Sequence, residues 1–330
     1  MVSNFMTAKK IVFILLINVI FLYSSFAQKY NAVDKIVLKY PKNFSTTEKL
    51  AEQIEKDFTT DYDKARAIYS WIAFNVKYDY AAFQNPPRTQ GFSYRTEAEK
   101  QRKIQAINDK MIDKAFNSKK AVCEGFTLLY QNVAELVGLK CEIVRGDSKI
   151  RLVDIGRKET SSNHAWNMVL IDKKWRLIDV TWGQGYYDSS KGRMANDFSS
   201  VYFDTDPDYF FAKHFPDSGS YLGNKLSKED FLNGPLIYNK TIEKDYKIKS
   251  PDSGIIEARN GEKITFEIKN ISKSDQFYYL NKRNQPVKIT NGRERKGGLE
   301  FQITMDNTIG EYITFFLDTN SIAAFKIVSK

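Results

Sequence analysis

The chain has 330 residues, of which 42% are hydrophobic and 27% are charged, and its formal net charge at pH 7 is +10. This composition indicates a globular protein with room for two domains, and no internal repeat or low-complexity linker interrupts it. Two histidines and two cysteines are too few for a credible zinc site, so we expect no metal and no cofactor.

The first 27 residues have the features of a signal peptide. Lys9 and Lys10 precede an apolar run over residues 11–23, and Ser25 and Ala27 are the small residues that a signal peptidase favours. The run is shorter than the roughly 20 residues of a membrane-spanning helix, although an uncleaved anchor is the alternative. We therefore expect an exported protein, periplasmic or extracellular, that meets a membrane only through this segment.

Export and the basic charge together limit the classes of partner that we expect. A positive surface favours acidic partners, including cell-envelope components, while export argues against nucleic acid. The lysines are dispersed along the chain, which also fits an ordinary solvated surface.

Two helices are predicted at the start of the mature chain. Thr46 or Thr47 caps the first, which runs through Phe58, and Asp61 caps the second, which runs through Val76. The polar, turn-rich stretch that follows, residues 85–101, is predicted to be a surface loop or a flap over a groove.

Cys123 opens the next helix. Apolar residues recur after it at helical spacing and Gly138 ends the helix, so Cys123 lies in the first turn. There the unpaired N–H groups and the helix dipole favour a thiolate, and Lys119 and Lys120 add to that field. Two other interpretations stay open: a buried cysteine that only packs, and a disulfide with Cys141. Because Cys141 alternates within an apolar strand pattern, we expect it in the core.

His164 and Asp179 lie on two predicted strands joined by a polar turn. A two-residue turn at Asp172-Lys173 would put both side chains on one face, diagonal to each other, whereas an odd-length turn would separate them. On one face, Asp179 would orient the imidazole, and His164 would take the thiol proton of Cys123 and return it to the leaving group.

These residues resemble the transglutaminase-like superfamily. The resemblance rests on three blocks, residues 122–126, 164–167 and 177–183, and on the upstream segment 69–79; residues 202–207 and 214–216 are similar to the kyphoscoliosis peptidase-like branch. It implies a papain-like α+β fold, with the nucleophile's helix packed on an antiparallel sheet that carries His and Asp. The activities implied are protein cross-linking, deamidation and peptide cleavage.

Further residues are candidates for the same site. The oxyanion would be met by the backbone N–H of Cys123 and by a side-chain donor, for which Tyr78 is the candidate. Trp166 and Trp182 could line an acyl groove, although all three aromatic residues could also simply pack in the core. We interpret His214, before Phe-Pro, as a structural residue or at most a rim residue.

The sequence changes character near residue 235. Alternating apolar runs at residues 264–268, 277–280, 301–303 and 312–317, separated by turn signals, predict a β-sandwich of immunoglobulin-like type over 235–330, with no catalytic set. We therefore predict a signal peptide at 1–27, a catalytic domain at 28–234 and an accessory domain at 235–330. The predicted function is amide or peptide hydrolysis by a Cys-His-Asp triad, favoured over cross-linking, on protein or peptide substrates. The alternative is a non-catalytic adhesion or scaffold module that keeps the fold.

Overall fold

The computed structural model describes residues 31–86, 91–158, 162–188, 193–217, 226–272 and 276–330. The predicted signal peptide lies outside these residues. By its internal contacts the chain divides into two units: one runs up to Ile143 and continues over Trp166–Phe203, and the other combines Val144–Ala165 with Asp204–Lys330. The domain boundary near residue 234 stays a prediction. No helix in the described ranges has the length and apolar character needed to cross a membrane.

The first unit is mainly helical, and local capping explains where its helices begin. Thr46 caps α2, as predicted, because its hydroxyl accepts from the backbone N–H of Lys49. The cap of α3 is Thr60 and not Asp61, because the Thr60 hydroxyl reaches the N–H of Asp63 at 3.1 Å. The helices are α1 (Ala32–Val37), α2 (Thr47–Asp57), α3 (Asp61–Asn75), α4 (Tyr80–Gln84), α5 (Glu97–Ser118), α6 (Cys123–Leu136) and α7 (Val180–Gln184).

Helix α5 corrects the prediction of a loop through residue 101. Thr96 caps it at the N–H of Glu99, and Glu99 pairs with Lys103 one turn later at 2.7 Å. Only three of its 22 residues are buried, all near its C-terminal end. The helix is thus specified by a cap and by charge pairs along a solvated face, so the apolar periodicity used for prediction is weak in its first half.

Helix α6 is the buried centre of the first unit. Phe126, Leu129, Tyr130 and Val133 are fully buried, and each such side chain contributes roughly 1.5–3 kcal/mol through its removal from water. The Tyr130 hydroxyl donates to the backbone carbonyl of Ala65 in α3. Gly138 follows the helix with φ +81°, which confirms that it ends there.

A four-stranded sheet carries the strands predicted around His164 and Asp179. Strands β4 (His164–Ile171) and β5 (Lys174–Ile178) form an antiparallel hairpin in which Ile171 faces Lys174, so Asp172 and Lys173 alone form the turn. Both turn residues have positive φ, as a tight two-residue hairpin requires, and the predicted even-length turn is confirmed. The sheet has the order β5-β4-β3-β8, with β3 (Cys141–Ser148), β4 (His164–Ile171), β5 (Lys174–Ile178) and β8 (His214–Pro216).

Two small pairs of strands complete the first unit. One is parallel, β1 (Lys77–Tyr78) with β2 (Lys120–Ala121), and the other is antiparallel, β6 (Gly185–Asp188) with β7 (Arg193–Asn196). A short 3₁₀ turn at Ser200–Tyr202 also belongs to the first unit, and another at Leu152–Asp154 belongs to the second unit.

The second unit contains a β-sandwich, as predicted from residue 235 onward. Phenylalanines from the two sheets pack together in its core: Phe266 of β12 lies 4.8 Å from Phe315 of β17, measured between ring centroids. One sheet has the order β10-β12-β16-β15, and the other has the order β11-β18-β17-β13-β14 with β9 on β18. The elements are α8 (Pro207–Lys213), α9 (Lys228–Asn233), β9 (Leu236–Ile237), α10 (Asn239–Glu243), β10 (Lys247–Ser250), β11 (Ile255–Ala258), β12 (Lys263–Lys269), β13 (Phe277–Leu280), β14 (Pro286–Lys288), β15 (Arg293–Arg295), β16 (Gly298–Thr304), β17 (Tyr312–Leu317) and β18 (Asn320–Ser329).

Candidate active site

Cys123 is the first residue of α6, as predicted, and its thiol is free and half-buried. The preceding Val122 offers no side-chain cap, so the amide groups of the first turn remain directed toward the start of the helix. Cys141 is also free, and it is buried at the start of β3, where burial raises the pKa of its thiol far above the usual range. The two cysteines form no disulfide here, and Cys123 is the more exposed of the two residues.

The parallel pair β1–β2 places Tyr78 beside the segment that leads into the nucleophile. Tyr78 pairs with Ala121, two residues before Cys123, and the N–H of Asp79 donates to the carbonyl of Ala121 at 2.8 Å. Burial raises the pKa of Tyr78 well above 10, and the negative charges of Cys123 and Asp179 raise it further. The phenol therefore keeps its proton at neutral pH and remains a hydrogen-bond donor.

Asp179 is fully buried and caps α7. Its Oδ1 accepts from the N–H of Trp182 at 3.0 Å, and its own N–H donates to the carbonyl of Tyr202 at 2.9 Å. Gly183, one turn into α7, lies directly against the hydroxyl of the buried Tyr69, where any β-carbon would overlap the phenol. The backbone on both sides of the carboxylate is thus closely packed, which fixes its position.

The hairpin register relates His164 to Asp179. Met168 faces Leu177 across the strands, and side chains alternate along each strand, so Met168 and His164 share a face with Leu177 and Asp179. Asp179 follows β5 directly and keeps an extended backbone. His164 and Asp179 therefore lie on the same face of the β4–β5 hairpin, and both are buried.

His214 is fully buried, which favours the structural interpretation over a rim position. Its ring stacks on Phe210 at 3.9 Å, and its Nδ1 lies 3.1 Å from the carbonyl oxygen of Phe210. The ring of His164 is its neighbour at 5.5 Å. Among the described residues, His164, Asp179 and His214 form a buried group. Histidine and aspartate side chains are of the types that can bind a metal ion. The expectation of a metal-free, cofactor-free mechanism stays a prediction.

The two tryptophans differ in exposure. Trp166 is 1% exposed, so its ring offers no surface to a substrate and the groove position predicted for it is not supported. Trp182 is half-buried and packs edge to face on Tyr202, with ring centroids 5.3 Å apart. Its predicted place in a groove stays a prediction.

Lys119 was expected to strengthen the field around the nucleophile, but its side chain packs on two buried rings. Its Nζ lies 4.5 Å from the ring centroid of Trp71 and 4.2 Å from that of Phe116. Burial lowers the pKa of Lys119 to about 8.

Gln184 is a site residue that sequence reasoning missed. It is 1% exposed at the end of α7; its Oε1 accepts from the N–H of Tyr78 at 3.1 Å, and its Nε2 donates to Oδ1 of Asn196 at 2.7 Å. It thus ties the helix that Asp179 caps to the strand that carries Tyr78. Its position in a five-residue helix gives no periodic signal in the sequence.

Comparison with known proteins identifies the class. Residues 48–180 match the model of the transglutaminase-like superfamily. Kyphoscoliosis peptidase of Homo sapiens is 26% identical over 262 residues, which cover 78% of this chain and 36% of that protein. Hillarin of Drosophila melanogaster is 24% identical over 230 residues, which cover 63% of this chain and 25% of that protein.

The chain therefore contains a domain of the transglutaminase-like superfamily, and its sequence is similar to the branch that includes kyphoscoliosis peptidase. It spans 36% of the length of the human relative. A solved structure described as a TGase shares 22% identity and covers 48% of this chain and 37% of its own, with a TM-score of 0.31. That score is too low to add to the assignment.

Proposed function

We propose that the protein is an exported thiol enzyme that hydrolyses amide or peptide bonds of proteins or peptides through Cys123, His164 and Asp179. The observation that carries the proposal is the two-residue turn of the β4–β5 hairpin, which puts His164 and Asp179 on one face. A half-buried cysteine at the start of a buried helix supplies the nucleophile that such a pair would serve.

In the first half of the proposed reaction, His164 takes the thiol proton and the sulfur of Cys123 bonds to the substrate carbonyl carbon. The carbon–nitrogen bond then breaks as His164 returns the proton to the leaving amine, which leaves a thioester on Cys123. Asp179 accepts from the imidazole N–H and holds the ring in one orientation. In the second half, His164 takes a proton from the attacking water, and the water oxygen bonds to the carbonyl carbon of the thioester. The carbon–sulfur bond then breaks as His164 passes that proton to the sulfur, and a carboxylic acid leaves.

The carbonyl oxygen carries negative charge in both halves. The backbone N–H of Cys123 is one donor for it, at a helix N-terminus, and the Tyr78 hydroxyl is the proposed second donor. The raised pKa of Tyr78 supports this role, because a phenol that stays protonated can donate.

Water and amines compete for the same thioester. We favour hydrolysis, because water is always present and the thiol of Cys123 is partly exposed. An amine acceptor would give cross-linking by the same first step. Cell-envelope proteins and peptides are the proposed substrates, and no cofactor is needed.

The β-sandwich favours a second candidate, an adhesion or scaffold module. It has a self-contained core of stacked phenylalanines and could present a surface to a partner without any turnover.

One assay separates the two candidates: the protein is incubated with dimethylated casein and a fluorescent primary amine, and the products are measured. Ammonia or new termini without bound fluorophore indicate hydrolysis, and bound fluorophore indicates cross-linking. We expect hydrolysis by the wild type and by Cys141→Ala, and loss of at least about 100-fold in Cys123→Ala. Equal rates of hydrolysis for the wild type and Cys123→Ala would contradict the enzyme candidate and favour the scaffold candidate.

A further inference from the structure

A group of three rings, one exposed and two half-buried, lies in the first unit next to the nucleophile segment. We call Tyr78, Tyr80 and Phe83 the aromatic ledge. The ring centroid of Phe83 lies 5.9 Å from that of Tyr78 and 6.0 Å from that of Tyr80. Phe83 is 54% exposed.

The ledge does not serve as a core for its own helix. None of the five residues of α4 is buried, although α4 carries two of the three rings. The helix is held from its N-terminus, where Oδ1 of Asp79 accepts from the N–H of Ala82 at 3.1 Å. Because the ring of Phe83 is more than half exposed, it lacks much of the stabilisation that burial of an apolar side chain brings, and binding of an apolar group would recover it.

Tyr78 connects the ledge to the nucleophile. Its strand pairs with the residues just before Cys123, and Gln184 fixes its backbone through the N–H of Tyr78. The ledge therefore adjoins, through Tyr78, the segment that leads into Cys123.

The charges beside the ledge limit what can occupy it. Lys77 and Lys120 are exposed and lie directly opposite each other on β1 and β2, an arrangement of like charges that is unfavourable unless an anion approaches. A second copy of this chain, with a net charge of +10, is disfavoured at such an edge.

We propose that the aromatic ledge binds an aromatic side chain of the peptide substrate, on the residue that contributes the attacked carbonyl. A further ring packs on the open side of Phe83 in the tilted or edge-to-face arrangement that aromatic pairs prefer. The proposal rests on the proposed function and adds the substrate class: uncharged or acidic peptides with Phe, Tyr or Trp at that position.

The test compares two alkylating peptides, acetyl-phenylalanyl and acetyl-alanyl chloromethyl ketone. Each places its side chain beside the ketone, and the Cys123 sulfur displaces chloride to form a thioether. We expect the wild type to react about 10-fold faster with the phenylalanyl reagent. Phe83→Ala should reduce this ratio to near one, whereas Phe92→Ala, which removes an exposed ring outside the ledge, should keep it.

A ratio near one in the wild type, or an unchanged ratio in Phe83→Ala, would overturn the inference. Iodoacetamide, which has no side chain, separates this failure from failure of the proposed function: a thiol that reacts with iodoacetamide but shows no aromatic preference contradicts the ledge alone. If the thiol is inert, binding of N-acetylphenylalaninamide against N-acetylalaninamide to Cys123→Ser, followed by NMR, still decides whether the ledge holds a ring.

Discussion

The first unit and the β-sandwich of the second unit bury different kinds of side chain. In the first unit the polar residues Asp34, Arg66, Asp179 and Gln184 are almost fully buried, each with specific partners. Among the described residues of the sandwich, 235–272 and 276–330, Thr241 is the buried polar residue, and the core is made of aromatic and aliphatic side chains. Because burying a polar group costs free energy unless it is paired, the first unit accepts a cost that the sandwich avoids, which is typical of a region that carries chemistry.

The largest expected effect on stability comes from a substitution in the apolar core of the sandwich. Phe266 is fully buried and packs on Phe301, Phe315 and Phe325. Phe266→Ala should lower the free energy of unfolding by roughly 3–5 kcal/mol, measured by urea unfolding, because it leaves a cavity between the sheets. Phe316→Ala, on the half-buried face of β17, is the matched control and should cost less than half as much. Equal losses would contradict a core centred on Phe266.

The next effect tests the paired charges of the first unit. Arg66 donates to both carboxylate oxygens of Asp34, at 2.8 and 2.7 Å, and both side chains are buried. Asp34→Asn should cost roughly 2–3 kcal/mol of unfolding free energy, because it leaves the guanidinium buried without a countercharge. Glu52→Gln removes the charge from an exposed pair with Lys49 and should change stability by less than about 0.5 kcal/mol. If Asp34→Asn lowers the free energy of unfolding no more than this control does, burial of the Asp34–Arg66 pair does not increase its contribution to stability.

The second unit also buries an ionisable side chain, but outside the sandwich. Lys149 donates to the carbonyls of Phe231 and Gly234 at 2.5 and 2.7 Å, and burial lowers its pKa to about 7, with Arg157 adding to the effect. Between about pH 7 and pH 10.5 the unfolded chain binds this proton and the folded protein does not, so stability rises with pH across that window.

Urea unfolding of wild type and Lys149→Met between pH 7 and pH 9 tests this. The wild type should gain stability relative to the variant by at most about 1.4 kcal/mol per pH unit. Parallel curves for the two proteins would show that Lys149 is not the group responsible.

A smaller effect is expected at the start of α5. Thr96→Ala removes the hydroxyl that caps the helix and should cost about 1 kcal/mol, measured by urea unfolding. Thr96→Ser keeps the cap and should cost less than half of that. If both substitutions are neutral, the exposed first half of α5 contributes nothing to global stability.

The sequence allowed four strands of the sandwich, β12, β13, β16 and β17, to be predicted, because they show short alternating apolar runs. Residues 277–280 and 312–317 are strands with the predicted bounds, and the two runs at 264–268 and 301–303 lie inside β12 and β16. Strand β18 was missed because residues 322–325 are buried in succession and do not alternate.

At the candidate site, the predicted features depend on residues that are close in sequence, and the missed features depend on contacts between residues that are distant in sequence. The helix start at Cys123 and the two-residue hairpin turn follow from residues close in sequence. Gln184 accepts a hydrogen bond from Tyr78, which is more than 100 residues away in the sequence, and no periodic pattern in the sequence predicts that a glutamine is buried. The exposure of the tryptophans likewise depends on packing, which alternation along a strand does not determine.

The most direct test of the central claim is the rate of iodoacetamide alkylation at Cys123 against pH, in the reduced full chain. Cys141 is buried and does not compete. We predict that wild-type Cys123 is alkylated well below pH 8, and that His164→Ala and Asp179→Asn shift the reaction to higher pH or remove it. An unreactive Cys123, or the same profile in all three proteins, would contradict an assembled Cys-His-Asp triad.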